Sequence, residues 1–445
     1  VTLAVHDAVA PSHVPRGIHR SRARTTVVVL GVWCAAVVVA RLWGLAVVHA
    51  ARENLFVGAV PFFGRWQVAW SLRSLAALAV GGAGIVLLPS VMARGSWRHA
   101  LVALALTTVA FGAALSFAKP PDTAWQSIHD DYGRHVDLVA DSPGGFLRDY
   151  VDRQATFPTH LQAHPPGMVL LLWGAGEVGL RGLGFENTLA LGGAAAGAVA
   201  AVVMLRAVAG ADAARRAAPF VALAPAAVWH TNADTFYAGV ALSGVALIVV
   251  AITRDDGRWR ASAVGGGLLF GAALMGTYGV AALAVVPAIV GRSRRRYQPV
   301  LVGGVAACAF VLGPALWGFS WLAGLEATKQ QYDHNLASVR PYSYFVVANL
   351  AVFAIAVGPA VGVALTRLRD RSTWLLVGGG LSVVALADMS GLALAETERI
   401  WQPFMPLALL ACTALPAGRA TADRRWLRLQ VAVALGLQLS LRSPW

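Results

Sequence analysis

Residues 25–50, TTVVVLGVWCAAVVVARLWGLAVVHA, contain a single formally charged side chain, Arg41. About 20 apolar residues cross a bilayer as a helix, whereas the core of a signal peptide has roughly 7–15. The stretch therefore reads as an uncleaved first span. Arg16, Arg20, Arg22 and Arg24 precede it, and by the positive-inside rule they mark a cytoplasmic tail over residues 1–24. Apolar runs of similar length recur along all 445 residues, which are 57% hydrophobic and 13% charged, with mean hydropathy +0.62. That composition excludes a water-soluble domain. The expected fold class is all-α: a polytopic transmembrane helical bundle forming one domain over residues 25–441, with a short tail at 442–445.

The net charge of +14 comes from arginines in short runs between apolar segments. That is an orientation signal and not a nucleic-acid footprint, so the lipid bilayer is an expected partner and nucleic acid is not. Only Lys119 and Lys329 represent lysine. This bias fits GC-rich coding and, with Val1 as an alternative start, a bacterial plasma membrane. Cys34, Cys308 and Cys412 lie in apolar segments without paired or metal-binding spacing, so they read as packing residues.

The arginine runs orient the chain. Arg94 with Arg98, Arg206–Arg216, Arg254–Arg260, Arg292–Arg296, Arg367–Arg371 and Arg419–Arg428 fall inside; 51–71, 119–165, 231–234, 323–342 and 395–401 fall outside. Spans are expected at 26–50, 72–92, 99–118, 187–207, 218–232, 235–253, 299–322, 343–367, 373–394, 402–417 and 426–441. Two segments break simple alternation. If 166–182 crossed, Arg206, Arg215 and Arg216 would emerge on the wrong side. It reads as a re-entrant helix starting at Pro165–Pro166, where a missing N–H costs least. The run 261–291 has arginines at both ends and reads as a hairpin with its tip near Gly276–Gly279. Its arms of about 15 residues are short for a ~30 Å core, and short helices are tolerated where they line a cavity. The total is about 13 crossings plus one re-entrant helix.

Seven of the 22 acidic residues fall in the loop 119–165: Asp122, Asp130, Asp131, Asp137, Asp141, Asp149 and Asp152. His129, His135, His160 and His164 lie there too, with Trp125, Tyr132 and Phe146 as interface aromatics. Asp130 or Asp131 near the bilayer surface could act as general base toward an incoming hydroxyl; the alternative is a solvated acidic loop. His160 and His164 have i, i+4 spacing, which would chelate a metal on a helix. Pro165 disfavours helix at His164 and favours a hydrogen-bonding role, and a divalent metal stays open. Asp234, in His230–Thr235, reads either as an N-cap or as a substrate contact. Glu396, Glu398 and Arg399 sit at an apolar edge, where charges usually have a partner or a ligand. Arg399 is the candidate phosphate contact, the alternative being a salt bridge to Glu396 or Glu398. Tyr332 and His334, in the segment 330–342, could contact an acceptor. Arg41 needs a partner or a cavity that the sequence does not identify.

Asp130-Asp131-Tyr132, His164-Pro165-Pro166-Gly167 and Glu398-Arg399-Ile400-Trp401 together resemble motifs of the C-type (GT-C) glycosyltransferase superfamily. The first resembles the acidic motif of the first large outer loop. The second is similar to the His-Pro-Pro signature of protein O-mannosyltransferases, and the third resembles a late outer-loop motif of bacterial relatives. The likeness covers roughly 99–417 in layout. It departs in having two extra spans before the catalytic loop, Asp-Asp where Asp-Glu is usual, and no soluble C-terminal domain. The resemblance implies a membrane enzyme transferring a hexosyl or pentosyl unit, mannosyltransferase-like, from a polyprenyl-phosphate-linked sugar. The acceptor would be a hydroxyl of a glycan, lipid or protein on the non-cytoplasmic face of the cell envelope. Transfer would invert the anomeric centre, with Asp130 or Asp131 as base and Arg399 on the leaving phosphate. The competing classes are a secondary transporter, which predicts ionisable residues deep in the spans and matched halves, and a non-catalytic membrane scaffold.

Overall fold

The structure, a computed structural model, describes residues 16–51, 57–119, 125–139, 142–335, 339–415 and 422–445, with side chains in the first helix from Arg22 to His49. Val1, the tail to Pro15, Asp122, Asp141 and Arg419 lie outside the described residues.

The described residues are mainly helical, with two small two-stranded ribbons. One pairs Gly58–Ala59 with Phe62–Phe63, and the other pairs Arg65–Trp66 with Leu441–Arg442. Among the described residues, seven helices are long and apolar enough to cross a membrane, and an eighth forms if the bent pair Tyr342–Val357 and Pro359–Arg367 is one span. The first helix, Arg16–Ala51, continues through the basic turns expected as tail. Ser74–Arg94, Trp97–Phe117, Leu183–Ala209, Ala233–Thr253 and Arg371–Met389 follow the expected spans closely.

Small residues let the central helices touch. Leu183–Ala209 packs on Ala233–Thr253, which packs on Trp259–Leu274, which packs in turn on Gln298–Leu312. A Cβ on Gly239 would fall 2.2 Å from the Gly193 carbonyl oxygen, and one on Gly267 would fall 2.1 Å from that of Gly303. Near-contact of backbones replaces the hydrophobic drive that lipid removes.

The irregular places are mostly where charge counting put them. Gly167–Glu177 is an 11-residue helix, about 16 Å at 1.5 Å per residue and too short for a ~30 Å core. The run 261–291 breaks after Leu274 and resumes as a tight turn from Tyr278 and a helix over Val285–Arg294. The two breaks meet, since Gly167 N–H donates to the Met275 carbonyl at 2.7 Å.

Three expected spans are not continuous helices. Residues 218–232 comprise the end of helix Ala211–Ala222 and a 3-10 turn at Pro225–Trp229. In the span expected at 402–417 the described residues form Met405–Leu409 and a 3-10 turn to Ala414. Residues 343–367 turn by 90° at Gly358, where φ is +81°. Buried amides satisfy the freed backbone: Gln430 Nε2 donates to Val357 O, and Gln402 Nε2 to Trp229 O. The segment expected as an outer loop at 323–342 is helical over Trp321–His334.

Candidate functional site

The segment 119–165 is largely short helices: Ser127–Asp131, Pro143–Arg153 and Thr159–Ala163. Tyr150 fastens its end to the re-entrant helix by donating from its hydroxyl to the Leu161 and His164 carbonyls. His129 Nδ1 lies 3.1 Å from Glu186 of the next long helix.

The adjacent aspartates separate. Asp130 lies on the exposed side, paired with Arg134 at 2.7 Å, one helical turn on. Asp131 turns inward, and its Oδ1 is 3.1 Å from His160 Nε2, both side chains being less than a quarter exposed. Burial pushes the Asp131 carboxyl up to about 7; the Arg399 charge opposes this, while Asp234 and Asp130 add to it. His160 is driven down to about 3 by burial, then by the positive charge of Arg399. The imidazole is therefore neutral, with its Nε2 within hydrogen-bond distance of the Asp131 carboxyl. His164 is lowered too, chiefly by burial. Its backbone is extended, φ −134° and ψ 159°, because Pro165 follows. As Pro165 led one to expect, His160 and His164 do not share a helical turn; the two rings stack at 6.4 Å, nearly parallel, beside buried Tyr132. Among the described residues no group of three His, Cys, Asp or Glu is arranged to hold a metal ion.

Asp234 is not the N-cap of its helix. Asn232 has that role, accepting from Thr235 N at 2.9 Å. Asp234 is 5% exposed and ion-paired to Arg399. Arg399 also binds Glu396 at 2.9 Å, and Glu396 in turn meets Arg340 at 3.4 Å. The salt bridge to Glu396 is thus real, whereas Glu398 points elsewhere. Glu398 is fully buried, accepts from Phe63 N at 2.9 Å and is pushed up to about 7 by burial. The guanidinium of Arg399 lies 4.8 Å from the Trp445 ring centre, and its buried Nε has no hydrogen-bond partner among the described residues.

The backbone leading to Arg399 is strained. Ala395 and Glu396 both have positive φ, +83° and +60°, a region costing non-glycine residues about 1–3 kcal/mol each. Side chains hold it there. Tyr332 Oη accepts from Leu394 N, Arg340 donates to Leu394 O, and Asn349 bonds both Ala393 O and Ala395 N. Tyr332 therefore supports the loop, while His334 is exposed and bonded to Gln330 O, away from the cluster.

The structure thus gathers Asp131, Tyr132, His160, His164, Asp234, Glu396 and Arg399 at one end of the helices, and leaves Asp130 and His334 outside. Sequence reasoning missed the ribbon 57–66, Trp445, and Lys119. The Lys119 amine is buried between the Val228 and Trp445 carbonyls and driven down to about 7 by burial and Arg442. An aromatic-rich stretch in a supposed loop, Pro61-Phe62-Phe63 with Trp66, was the available signal.

Apolar spans around a polar cluster at the helix ends define a multi-pass α-helical membrane protein. Comparison with family profiles, with curated proteins and with solved structures finds no match.

Proposed function

We propose that the protein is an inverting membrane glycosyltransferase of GT-C-like layout, moving a sugar from a polyprenyl phosphate to an acceptor hydroxyl on the non-cytoplasmic face. The observation that carries this reading is the convergence of Asp131, His160, His164, Asp234 and Arg399, from distant stretches of chain, into one charge cluster. In the proposed threading the broken segments count as crossings, about 13 in all, and Gly167–Glu177 is re-entrant.

Asp131 is the base. Its carboxylate takes the proton of the acceptor hydroxyl, whose oxygen attacks the anomeric carbon from the face opposite the phosphate. The carbon–oxygen bond to phosphate breaks with its electron pair, and Arg399 stabilises the charge that develops there. A carboxyl titrating near 7 suits this task, because a base works best with its pKa near working pH. Neutral His160 orients the carboxylate without neutralising it. Asp234 and Glu396 fix the guanidinium. Asp130, paired at the surface, has no part in the step.

A transporter is favoured by one feature, the 90° break at Gly358. Gln430 fills that corner by bonding Val357 O and Ala360 N, which supports a packed bend over an ion site. The deciding experiment measures transfer from polyprenyl-phosphate sugars by the purified protein in proteoliposomes. Asp131→Asn should lose at least a hundredfold and Asp130→Asn no more than a few-fold. Full activity in Asp131→Asn rejects the mechanism, and solute uptake without transfer rejects the class.

A further inference from the structure

A cavity of about 560 Å³ lies between the first helix, the ribbon 57–66 and the helices Tyr342–Val357 and Arg424–Ser440. Ligand pockets commonly enclose about 300–1,000 Å³. Its walls include Trp33, Val37, Phe62, Ile355 and Leu437, and among the described residues its one charged group is Arg41. The first helix is barely covered by protein, with 11% of its span buried, and the lining residues Val38 and Leu42 are 54% and 60% exposed. The groove therefore opens sideways toward the lipid.

Arg41 donates to the Val60 carbonyl at 2.5 Å and lies 5.2 Å from the Trp66 ring centre. Neither contact neutralises it, and among the described residues no carboxylate is within ion-pairing distance. A charge at membrane depth is costly unless it meets an opposite charge or water. Arg24 closes the basic run outside the hydrocarbon. Roughly 20 residues from Thr25 then reach Gly44 across a ~30 Å core, so Arg41 sits within about one turn of the far headgroup boundary. An apolar groove with a guanidinium at headgroup depth complements an anion carried on a hydrocarbon chain, and a guanidinium matches phosphate oxygens in pairs.

We infer that this groove holds one chain of a membrane lipid bearing a phosphate, with the phosphate against Arg41. The ribbon walls the groove from the polar cluster. Phe62 and Trp66 face the groove, while Phe63 stacks on Trp445, over which Arg399 lies. Lipid binding here is therefore independent of the transferase reading, and sugar transfer is no part of its test.

The full-length protein in a non-ionic detergent is titrated with dioleoyl phosphatidic acid, with dioleoylglycerol, or with inorganic phosphate, and bound lipid is counted by native mass spectrometry. A single phosphatidic acid should bind, with dioleoylglycerol about tenfold weaker. Arg41→Gln should bring phosphatidic acid down to the dioleoylglycerol level, and Arg41→Lys should keep part of the difference. Gly436 lines the groove and a Cβ there meets nothing within 4 Å, so Gly436→Phe should fold, fill the groove and weaken both lipids. Equal binding of the two lipids, or unchanged binding in Gly436→Phe, overturns the inference. Displacement of the lipid by inorganic phosphate overturns it in favour of a free-ion site.

Discussion

Replacing Asp131 with Asn should make the protein more stable and inactive at once, a combination a purely structural residue does not produce. Moving a carboxyl from 3.8 to about 7 corresponds to about 4 kcal/mol at 1.36 kcal/mol per pH unit. This is the order of the cost of ionising Asp131 in place. Between pH 3.8 and 7 the native state holds the proton and the unfolded state does not, so wild-type stability falls as pH rises through that window and is then level. The amide has no charge to bury and still accepts from His160. Asp131→Asn should therefore gain about 4 kcal/mol over wild type at pH 8, about 2 at pH 5.5 and nothing below pH 4. His160 works the other way, losing stability as pH falls from 6.5 toward 3, but both proteins share that loss, so the difference isolates Asp131. Denaturant unfolding in micelles at several pH values reads the gain. The pH profile of transfer supplies the second readout, with the kcat/KM of wild type rising through about pH 7 as the base forms. A gain that is absent at pH 8, or equal at pH 8 and pH 5.5, refutes the buried carboxyl.

Three further outcomes test neighbouring parts. Arg399→Met leaves Asp234 and Glu396 without their cation and should cost about 3–5 kcal/mol in thermal or denaturant unfolding; adding Asp234→Leu should recover part of that loss. Asp130→Asn removes only a surface pair whose aspartate is 46% exposed, so stability should change by less than about 1 kcal/mol. At the hairpin tip, a Cβ on Gly276 would overlap the Tyr237 ring at 1.8 Å, while one on Gly279 meets nothing closer than 3.9 Å. Gly276→Ala should cost about 1–3 kcal/mol by overpacking and Gly279→Ala almost nothing; equal effects in unfolding would contradict the packing there.

What the sequence made legible was local or additive. Apolar length placed the helices, arginine counting singled out 166–182 and 261–291 as short or broken, and Pro165 set His164 in extended backbone. Hydropathy could not show that 218–232 and 343–367 are broken. It counts apolar side chains, whereas these breaks are stabilised by single amides, Gln402 and Gln430, reaching across from distant stretches of chain. The cluster was readable as a set of residue types but not as a set of contacts. Arg399 lies 165 residues from Asp234, and the neutral partner of Arg41 sits in a ribbon with no helical period at all.

The least legible feature, the two left-handed residues before Arg399, is also the one that ties the supporting shell to function. Unsupported, Ala395 and Glu396 would relax and carry Arg399 off Asp234. Asn349 prevents this from a distance, its amide bonding Ala393 O at 2.8 Å and Asp388 at 3.1 Å while its oxygen receives Ala395 N. Asn349→Leu keeps the volume and removes all three bonds, leaving buried backbone groups unpaired at about 1–3 kcal/mol each. Because Asn349 touches none of the acidic or basic groups of the cluster except through this loop, its loss should lower kcat for sugar transfer severalfold or more. The pH limb near 7, which belongs to Asp131, should move upward, because Arg399 opposes the rise of that carboxyl and is now displaced. An unchanged limb with an unchanged kcat would mean that the strained turn does not position Arg399.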